Sequence, residues 1–285
     1  MAVRQNINDR FIYFVTSEVG GPPLSHDQIS KLQSAVDSIM TGVHIEVMNA
    51  LEFMTQPSVV GGVVWPYFRG LPCPDEDVLA LLDGKDEFMT INDYRNCPYG
   101  LDNKWVNYEY AKNDGIPIPQ SFSITNPEEL KNLPLEFPMV LKGYPSGRGE
   151  DVHLCETLEE AEVAYAKCRD KGLGIVAQEF IAESRGRDLR VIAIHGKIEV
   201  VLGRQGPEGS FLSNVSQGGK YFEYTLSDDE RRLVESVIKQ FPADIAGFDF
   251  LFSKKGLLFC EINLAPGWPV QALPSIAALI QSKVK

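Results

Sequence analysis

Short apolar runs alternate with amphipathic stretches through the first third of the chain. RFIYFVTS, GVHIEVMN, SVVGGVVWPYF and a shorter run at EFMTI have the length and the β-branched or aromatic content of strands. Between the first two, SHDQISKLQSAVDSIM places Ile29, Leu32, Val36 and Ile39 at helical spacing, and a short helix is expected from about Glu76 to Leu82. This order predicts a small parallel-sheet domain built from βαβ units. A polar stretch, NDYRNCPYGLDN, closes it.

From about Asp102 the pattern changes. DNKWVNYEYAKNDG reads as a helix with a polar cap and a terminal glycine, and NPEELKNL opens on Asn126 as cap with Pro127 in the first turn. PMVLKG is a strand followed by a glycine-bearing loop. TLEEAEVAYAKCRDKG is a helix that a capping box of Thr157 with Glu160 would start, and GIVAQEFI is a strand. DLRVIAIHGKIEVVLGR predicts two strands joined at His195-Gly196. A long loop follows, then a helix from a second capping box, Ser227 with Glu230, to Phe241, a hairpin, and a C-terminal helix from about Val270. No internal repeat or low-complexity segment is present.

The hairpin GFDFLFSKKGLLFCEIN, Gly247 to Asn263, carries two carboxylates in an otherwise apolar pattern. Lys254, Lys255 and Gly256 predict a three-residue loop with glycine in the left-handed position. Ser253 then faces Leu257, and Asp249 faces Glu261. Alternation puts Phe248, Phe250, Phe252, Leu258, Cys260 and Ile262 on one face and Asp249, Glu261 and Asn263 on the other. Opposed carboxylates with Cβ atoms about 5 Å apart weaken the pairing unless positive charge lies between them. Spacing alone leaves two readings: a bound cation, to which Asn263 adds a third hard oxygen suited to magnesium, or relief by nearby lysines and arginines.

Composition sets limits on these readings. At 285 residues, 44% hydrophobic and 23% charged, the chain can bury a sizeable core in one large or several smaller domains. The formal net charge of -12 argues against non-specific binding to nucleic acid or anionic membranes, while a local basic cleft could still hold phosphates. Five cysteines, Cys73, Cys97, Cys155, Cys168 and Cys260, have no C-x-x-C spacing and read as reduced buried thiols, neither a zinc site nor a disulfide framework. His26, His44, His153 and His195 are scattered, so a Ser-His-Asp or zinc reading has no support. No run has the length to span a bilayer and no signal-peptide pattern opens the chain, so the expected compartment is the cytoplasm.

Three further stretches bear on the hairpin. In LKGYPSGRGEDV, Lys142 ends a strand and Gly143, Gly147 and Gly149 follow; glycines let backbone amides approach phosphate oxygens while the lysine supplies charge. The spacing excludes a P-loop, and alone it suits a flexible hairpin turn better than a phosphate loop. In VAQEFIAESRGRDLR, the strand edge at Gln178-Glu179 can offer backbone groups to a flat base, and Asp188 can accept from ribose hydroxyls. Arg185 and Arg187 could pair with local acids such as Glu183, but Arg190 lies inside a strand and needs a partner there. In GRQGPEGSFLSNVSQGG, Arg204 ends a strand and a glycine-rich loop surrounds Asn214; Phe211, Leu212 and Val215 favour a packed, functional loop over simple disorder.

On these residues, the segment from about Lys104 to Asn263 resembles the ATP-grasp fold and, within it, the RimK-type carboxylate–amine ligases. QEFIAESRGRDLRV, GSFLSNVSQGG, AGFDFLF and CEINLAPGW stand in the family's order and spacing. The resemblance implies an α/β (α+β) ATP-grasp fold behind an N-terminal βαβ domain. Its divisions would be 1–101, a central or lid part at 102–178, and 179–285 with the metal site. It implies that Lys104 and Lys142 contact ATP phosphates beneath a loop of Gly147, Arg148 and Gly149. Gln178, Glu179, Phe180 and Ile181 would line the adenine pocket, with Asp188 near the ribose. Asp249, Glu261 and Asn263 would hold magnesium, with manganese as a substitute. Arg204 would sit by the transferred phosphate, and Arg190 and Asn214 where the family handles phosphate or acyl substrate. Two stretches depart from the pattern: the irregular QGPEG after Arg204, and APGW, with Ala265 where serine is common and Trp268 beside the site.

The implied chemistry is transfer of the ATP γ-phosphate to a carboxylate, then attack of an amine to form an amide on an amino acid, peptide or protein terminus. Such chemistry asks for positioning and neutralisation of spread negative charge, which suits lysines, arginines and metal ligands. A small-molecule kinase on the same fold and a non-catalytic nucleotide-binding module are the alternatives. The acidic total charge disfavours a polyphosphate substrate, and the intact Lys142, Arg204, Asp249, Glu261 and Asn263 disfavour the module. Expected partners are small-molecule or peptide carboxylates and amines, with no nucleic acid and no membrane. The family's frequent dimers and tetramers leave a homo-oligomer open.

Overall fold

The computed structural model describes residues 10–16, 25–55, 62–66, 88–92, 103–144, 146, 149–213 and 218–284. They build three sheets. The first is parallel, in the order β2-β1-β3-β4, from β1 (Arg10–Thr16), β2 (Val43–Asn49), β3 (Gly62–Pro66) and β4 (Phe88–Thr90). On central β1, Ile12 and Phe14 enter one core while Tyr13 and Val15 enter another, which is why its apolar run is continuous. Helix α1 (His26–Asp37) starts at Ser25, whose capping box with Gln28 satisfies the first turn, and buries Leu32 and Val36. Helix α2 (Ala50–Thr55) follows β2 directly and is too short for a hydrophobic repeat to reveal it. The helix expected near 76–82 lies outside the described residues.

The second sheet is antiparallel, in the order β5-β8-β6-β7. Helix α3 (Lys104–Asn113) precedes β5 (Ser121–Ser123), and β6 (Met139–Tyr144), β7 (Val152–Cys155), α4 (Leu158–Asp170) and β8 (Gly174–Glu179) follow. Asn126 caps a 3-10 turn at Pro127–Asn132. Helix α4 closes a separate core over this sheet, with Ala161 and Cys168 against Leu141, Cys155 and Ile175. Its capping box is half formed: Thr157 accepts from Glu160 N, while the Glu160 carboxylate accepts from Glu156 N. Helix α3 packs Val106, Tyr110 and Ala111 into the core that holds the apolar residues of the third sheet.

The third sheet runs β11-β10-β9-β12-β13, built from β9 (Arg187–Ile194), β10 (Lys197–Gln205), β11 (Lys220–Glu223), β12 (Ile245–Ser253) and β13 (Gly256–Asn263). The β9–β10 turn has φ 49° at His195 and 71° at Gly196, positive at both positions as a two-residue hairpin requires. Helix α5 (Asp228–Gln240) opens on a complete Ser227–Glu230 capping box, and α6 (Leu273–Lys283) follows a 3-10 turn at Val270–Ala272. Among the described residues no helix is long and apolar enough to cross a membrane.

The β12–β13 hairpin corrects the expected register at its tip. Ser253 pairs with Gly256, not Leu257, across a two-residue Lys254-Lys255 turn. A bulge at Cys260 then restores Asp249 to its place opposite Glu261. Beyond the bulge the faces exchange, so Leu257 and Phe259, not Leu258 and Cys260, join Phe248, Phe250 and Ile262 in the core. Cys260 is turned out of that core towards Lys142.

Two links fasten the first sheet to the third. Trp65 lies 4.8 Å from Phe14 and 5.3 Å from Trp268 between ring centroids. Trp268, expected beside the site, packs in this core with Leu273, Ile276 and Ile280 of α6. The second link is Asn92, buried at φ 53°. Its Oδ1 accepts from Ile245 N at 3.0 Å, and its Nδ2 donates to Ile245 O and Leu264 O, both at 2.7 Å. Asn92→Ala leaves those buried groups unpaired and is expected to cost roughly 2–3 kcal/mol in urea unfolding. A loss below about 0.5 kcal/mol would mean that water replaces the side chain.

Candidate active site

Four charged residues meet on one face of the third sheet because the strands place them in register. Asp188 and Arg190 alternate along β9, Arg204 on β10 pairs with Asp188, and Asp249 on β12 pairs with Arg190. Further along the same face of β9, Ile192 and Ile194 enter the core shared with the first sheet. Arg190 donates from Nε and Nη2 to the two Asp249 oxygens, the second bond at 2.7 Å. Arg204 donates from Nε and Nη2 to Asp188 at 2.7 and 2.5 Å, and from Nη2 to Asp249 Oδ2 at 2.7 Å. Ser213 donates to Asp188 Oδ2 at 2.5 Å.

This network is neutral in formal charge, and that neutrality allows its burial. Burial alone would raise the Asp249 carboxyl, but the Arg190 and Arg204 guanidiniums outweigh it and hold the group at about 2. Burial likewise opposes the charge on Arg204, while Asp249 and Asp188 more than compensate and raise it. Both arginines bind side-on through Nε and Nη2, and among the described residues neither Nη1 has a hydrogen-bond acceptor. Each therefore keeps the two N–H groups of Nη1 uncommitted among the described residues. A Cβ at Gly247 would lie 3.2 Å from Arg190 Nη1 and 3.0 Å from Pro266, so glycine gives that guanidinium its passage.

A second group gathers around Lys142, which is buried on β6. Its Nζ donates to the Tyr108 hydroxyl at 3.2 Å and lies 3.6 Å from Cys260 Sγ. Burial works against the ammonium; Cys260 and Tyr108 raise it electrostatically only where they are themselves ionised, and near neutral pH the Glu261 carboxylate and the Tyr108 hydrogen bond favour the charge. Burial pushes the Tyr108 hydroxyl up to about 12 and the Cys260 thiol up to about 11, so both are neutral near pH 7. Lys104, also buried, donates to Ser146 O at 2.8 Å and so meets the loop that follows β6. Lys104 and Tyr108 stand four apart on α3, a spacing that puts both on one helix face.

Glu261 lies opposite Asp249 and close to Lys142, yet makes no ion pair among the described residues. Asn263 Oδ1 accepts from Ala265 N at 2.9 Å and retains a second lone pair. Two opposed carboxylates, one of them unpaired, and an amide oxygen on one strand face form a hard-oxygen donor set that fits magnesium. Arginines relieve Asp249, while Glu261 makes no ion pair among the described residues.

At the end of β8, Gln178 is buried and donates to Ser121 Oγ at 2.9 Å. Glu179 is fastened to Gln120 twice, its N–H donating to Gln120 O and its Oε1 accepting from Gln120 N. Phe180 and Ile181 follow, half-buried, with Arg185 5.6 Å from the Phe180 ring centroid. Asp188 has both oxygens engaged by Arg204 and Ser213, the role the sequence least suggested for it. Gly149 has φ 76° in the turn before β7. Gly147, Arg148 and Asn214 lie outside the described residues. Tyr108, Cys260 and Ser213 were not foreseen, and only Tyr108 left a signal, its helical spacing from Lys104.

The model of the RimK-like ATP-grasp domain matches residues 101–273. A probable alpha-L-glutamate ligase of Haemophilus influenzae is 31% identical over 166 residues, 58% of this chain and 55% of that protein. The chain thus spans about half the length of the curated relatives it matches. D-cycloserine synthetase DcsG superposes with a TM-score of 0.70 at 16% identity, over 96% of this chain and all of the other. The ATP-grasp ligase PsnB, solved with a precursor variant, Mg and ADP, gives 0.63 at 14% identity over 98% and 99% of the two chains. These likenesses establish the fold.

Proposed function

Since this chain belongs to the RimK-like ATP-grasp family, we propose that it is an ATP-dependent carboxylate–amine ligase acting on an amino acid, peptide or protein terminus. The observation that carries this reading is the pair of side-on arginines, Arg190 and Arg204, held by Asp249 and Asp188 across the strand pair from Glu261, with no acceptor for either Nη1 among the described residues. In the first step a substrate carboxylate oxygen attacks the γ-phosphorus and ADP leaves. In the second an amine nitrogen attacks the acyl carbon, phosphate leaves, and the nitrogen loses its proton to solvent or phosphate. Lys104 and Lys142 hold phosphate oxygens, with the Gly147-Arg148-Gly149 loop above them. Arg204 donates from Nη1 to the transferred phosphoryl group, its fork held by Asp188 and Ser213. Arg190 orients the acyl substrate, Asn214 assists at the phosphate, and the Gln178–Ile181 strand end receives adenine. Magnesium, or manganese with the same oxygen chemistry, would be held by Asp249, Glu261 and Asn263 and would neutralise the phosphates.

The relative named as a probable alpha-L-glutamate ligase supports an amino acid as the amine. Free thiols at Cys155, Cys168 and Cys260 suit a reducing compartment such as the cytoplasm. The test incubates the full chain with ATP, magnesium and pools of amino acids and peptides, reading phosphate release and product mass together. Phosphate release matched by a new amide is the expected result. A phosphorylated product would make the protein a kinase, and no turnover with any pool would leave a nucleotide-binding module.

A further inference from the structure

The second sheet carries a cluster of metal-ligating side chains that the ligase reading does not use. Asp151 immediately precedes β7, His153 lies within it, and Cys168 comes from α4. One carboxylate oxygen, one imidazole nitrogen and the Cys168 sulfur lie within 4.8 Å of one another, with Asp151 and Cys168 buried. His153 Nε2 is buried without a hydrogen-bond partner, a costly state for an imidazole nitrogen. A Cβ on Gly143 would come within 3.0 Å of Asp151 Cβ and 3.2 Å of Cys168 Sγ, so β6 crosses the cluster where it has no side chain. Thiolate, imidazole and carboxylate together are a zinc-type donor set, too soft for magnesium.

We propose that Asp151, His153 and Cys168 form a binding site for a zinc-class divalent cation, which fastens α4 to the strand that leaves the glycine loop. Bonds of about 2.0–2.3 Å place tetrahedral ligand atoms roughly 3.5 Å apart, so the three side chains close by about 1 Å around the ion. Lys171 holds Asp151 Oδ1 at 2.5 Å, and the second carboxylate oxygen is the one that turns to the metal. Water takes the fourth position from the side of His153, the only ligand of the three that is partly exposed. Burial, then Lys167, lowers the His153 imidazole from its ordinary value, so it is neutral and ready to ligate near pH 7. Burial raises the Cys168 thiol, so binding must release its proton. Sequence spacing did not reveal the cluster because its third ligand arrives from a helix packed over the strand.

The site is tested without nucleotide, by titrating the full chain with Co2+ as a spectroscopic probe and then displacing it with Zn2+. One equivalent of cobalt should give a sulfur-to-cobalt charge-transfer band that zinc removes, with about one proton released per ion. The band should vanish in Cys168→Ala and persist in Cys260→Ser. His153→Gln, at a partly exposed position where folding is not threatened, should weaken cobalt binding about tenfold or more. Absence of the band in the wild type overturns the proposal. So does wild-type affinity in His153→Gln, or loss of the band in Cys260→Ser.

Discussion

Glu261→Gln is expected to lower ADP formation by about 1000-fold or more at saturating magnesium, with the fold and melting temperature unchanged or slightly raised. The size of the effect follows from what Glu261 alone provides. Asp249 has its charge answered by two guanidiniums, whereas Glu261 makes no ion pair among the described residues. It is therefore the hairpin carboxylate that no guanidinium binds among the described residues, with only the Lys142 ammonium nearby. Glutamine preserves the volume and the strand, removes that charge, and ends the like-charge opposition across the Asp249–Glu261 pair. Melting curves separate loss of a ligand from loss of structure. Turnover within tenfold of wild type would sink the metal assignment while leaving the arginine network and the ligase reading standing.

The Asp249–Glu261 pairing was legible in the sequence, but for a reason that was only partly right. A three-residue loop gives the same pairing at positions 249 and 261 as a two-residue turn followed by a one-residue bulge. Alternation cannot separate the two, because an inserted residue exchanges the faces and leaves later pairings aligned. Cys260 was consequently assigned to the core, when the bulge presents it to Lys142. The arginine network was hidden for a different reason. Asp249 meets Arg190 and Arg204 across strands separated by 59 and 45 positions, and hairpin spacing says nothing about such pairs. Long apolar runs disclosed the first sheet and the β9–β10 hairpin, while β5 and β7, at 3 and 4 residues, left no periodicity to read. Trp268 was placed by its neighbours in the sequence, but an indole is better accommodated against Trp65 than in a charged cleft.

Arg204→Met is expected to cost about 3–5 kcal/mol at neutral pH, the range for breaking a buried ion network from one side. Methionine fills the space but leaves Asp188 with only Ser213, and Asp249 with only Arg190. The pH dependence distinguishes this from ordinary packing loss. In the wild type Asp249 sits at about 2 against an ordinary 3.8, so its folded-state pKa is depressed. Its contribution of roughly 2 kcal/mol is therefore present above about pH 4 and lost as pH falls through about 2. In the variant the uncompensated carboxyls shift upward, so protonation relieves them before it harms the wild type. The stability gap should accordingly narrow between pH 7 and pH 4 in urea unfolding. A deficit below about 1 kcal/mol, or one equal at both pH values, would refute the charge account. Adding Asp188→Asn removes the unpaired charge without restoring the arginine, and should recover part of the stability but none of the turnover. Those two readouts would separate the Asp188–Arg204 pair's structural part from the work of Arg204 Nη1 on the phosphoryl group.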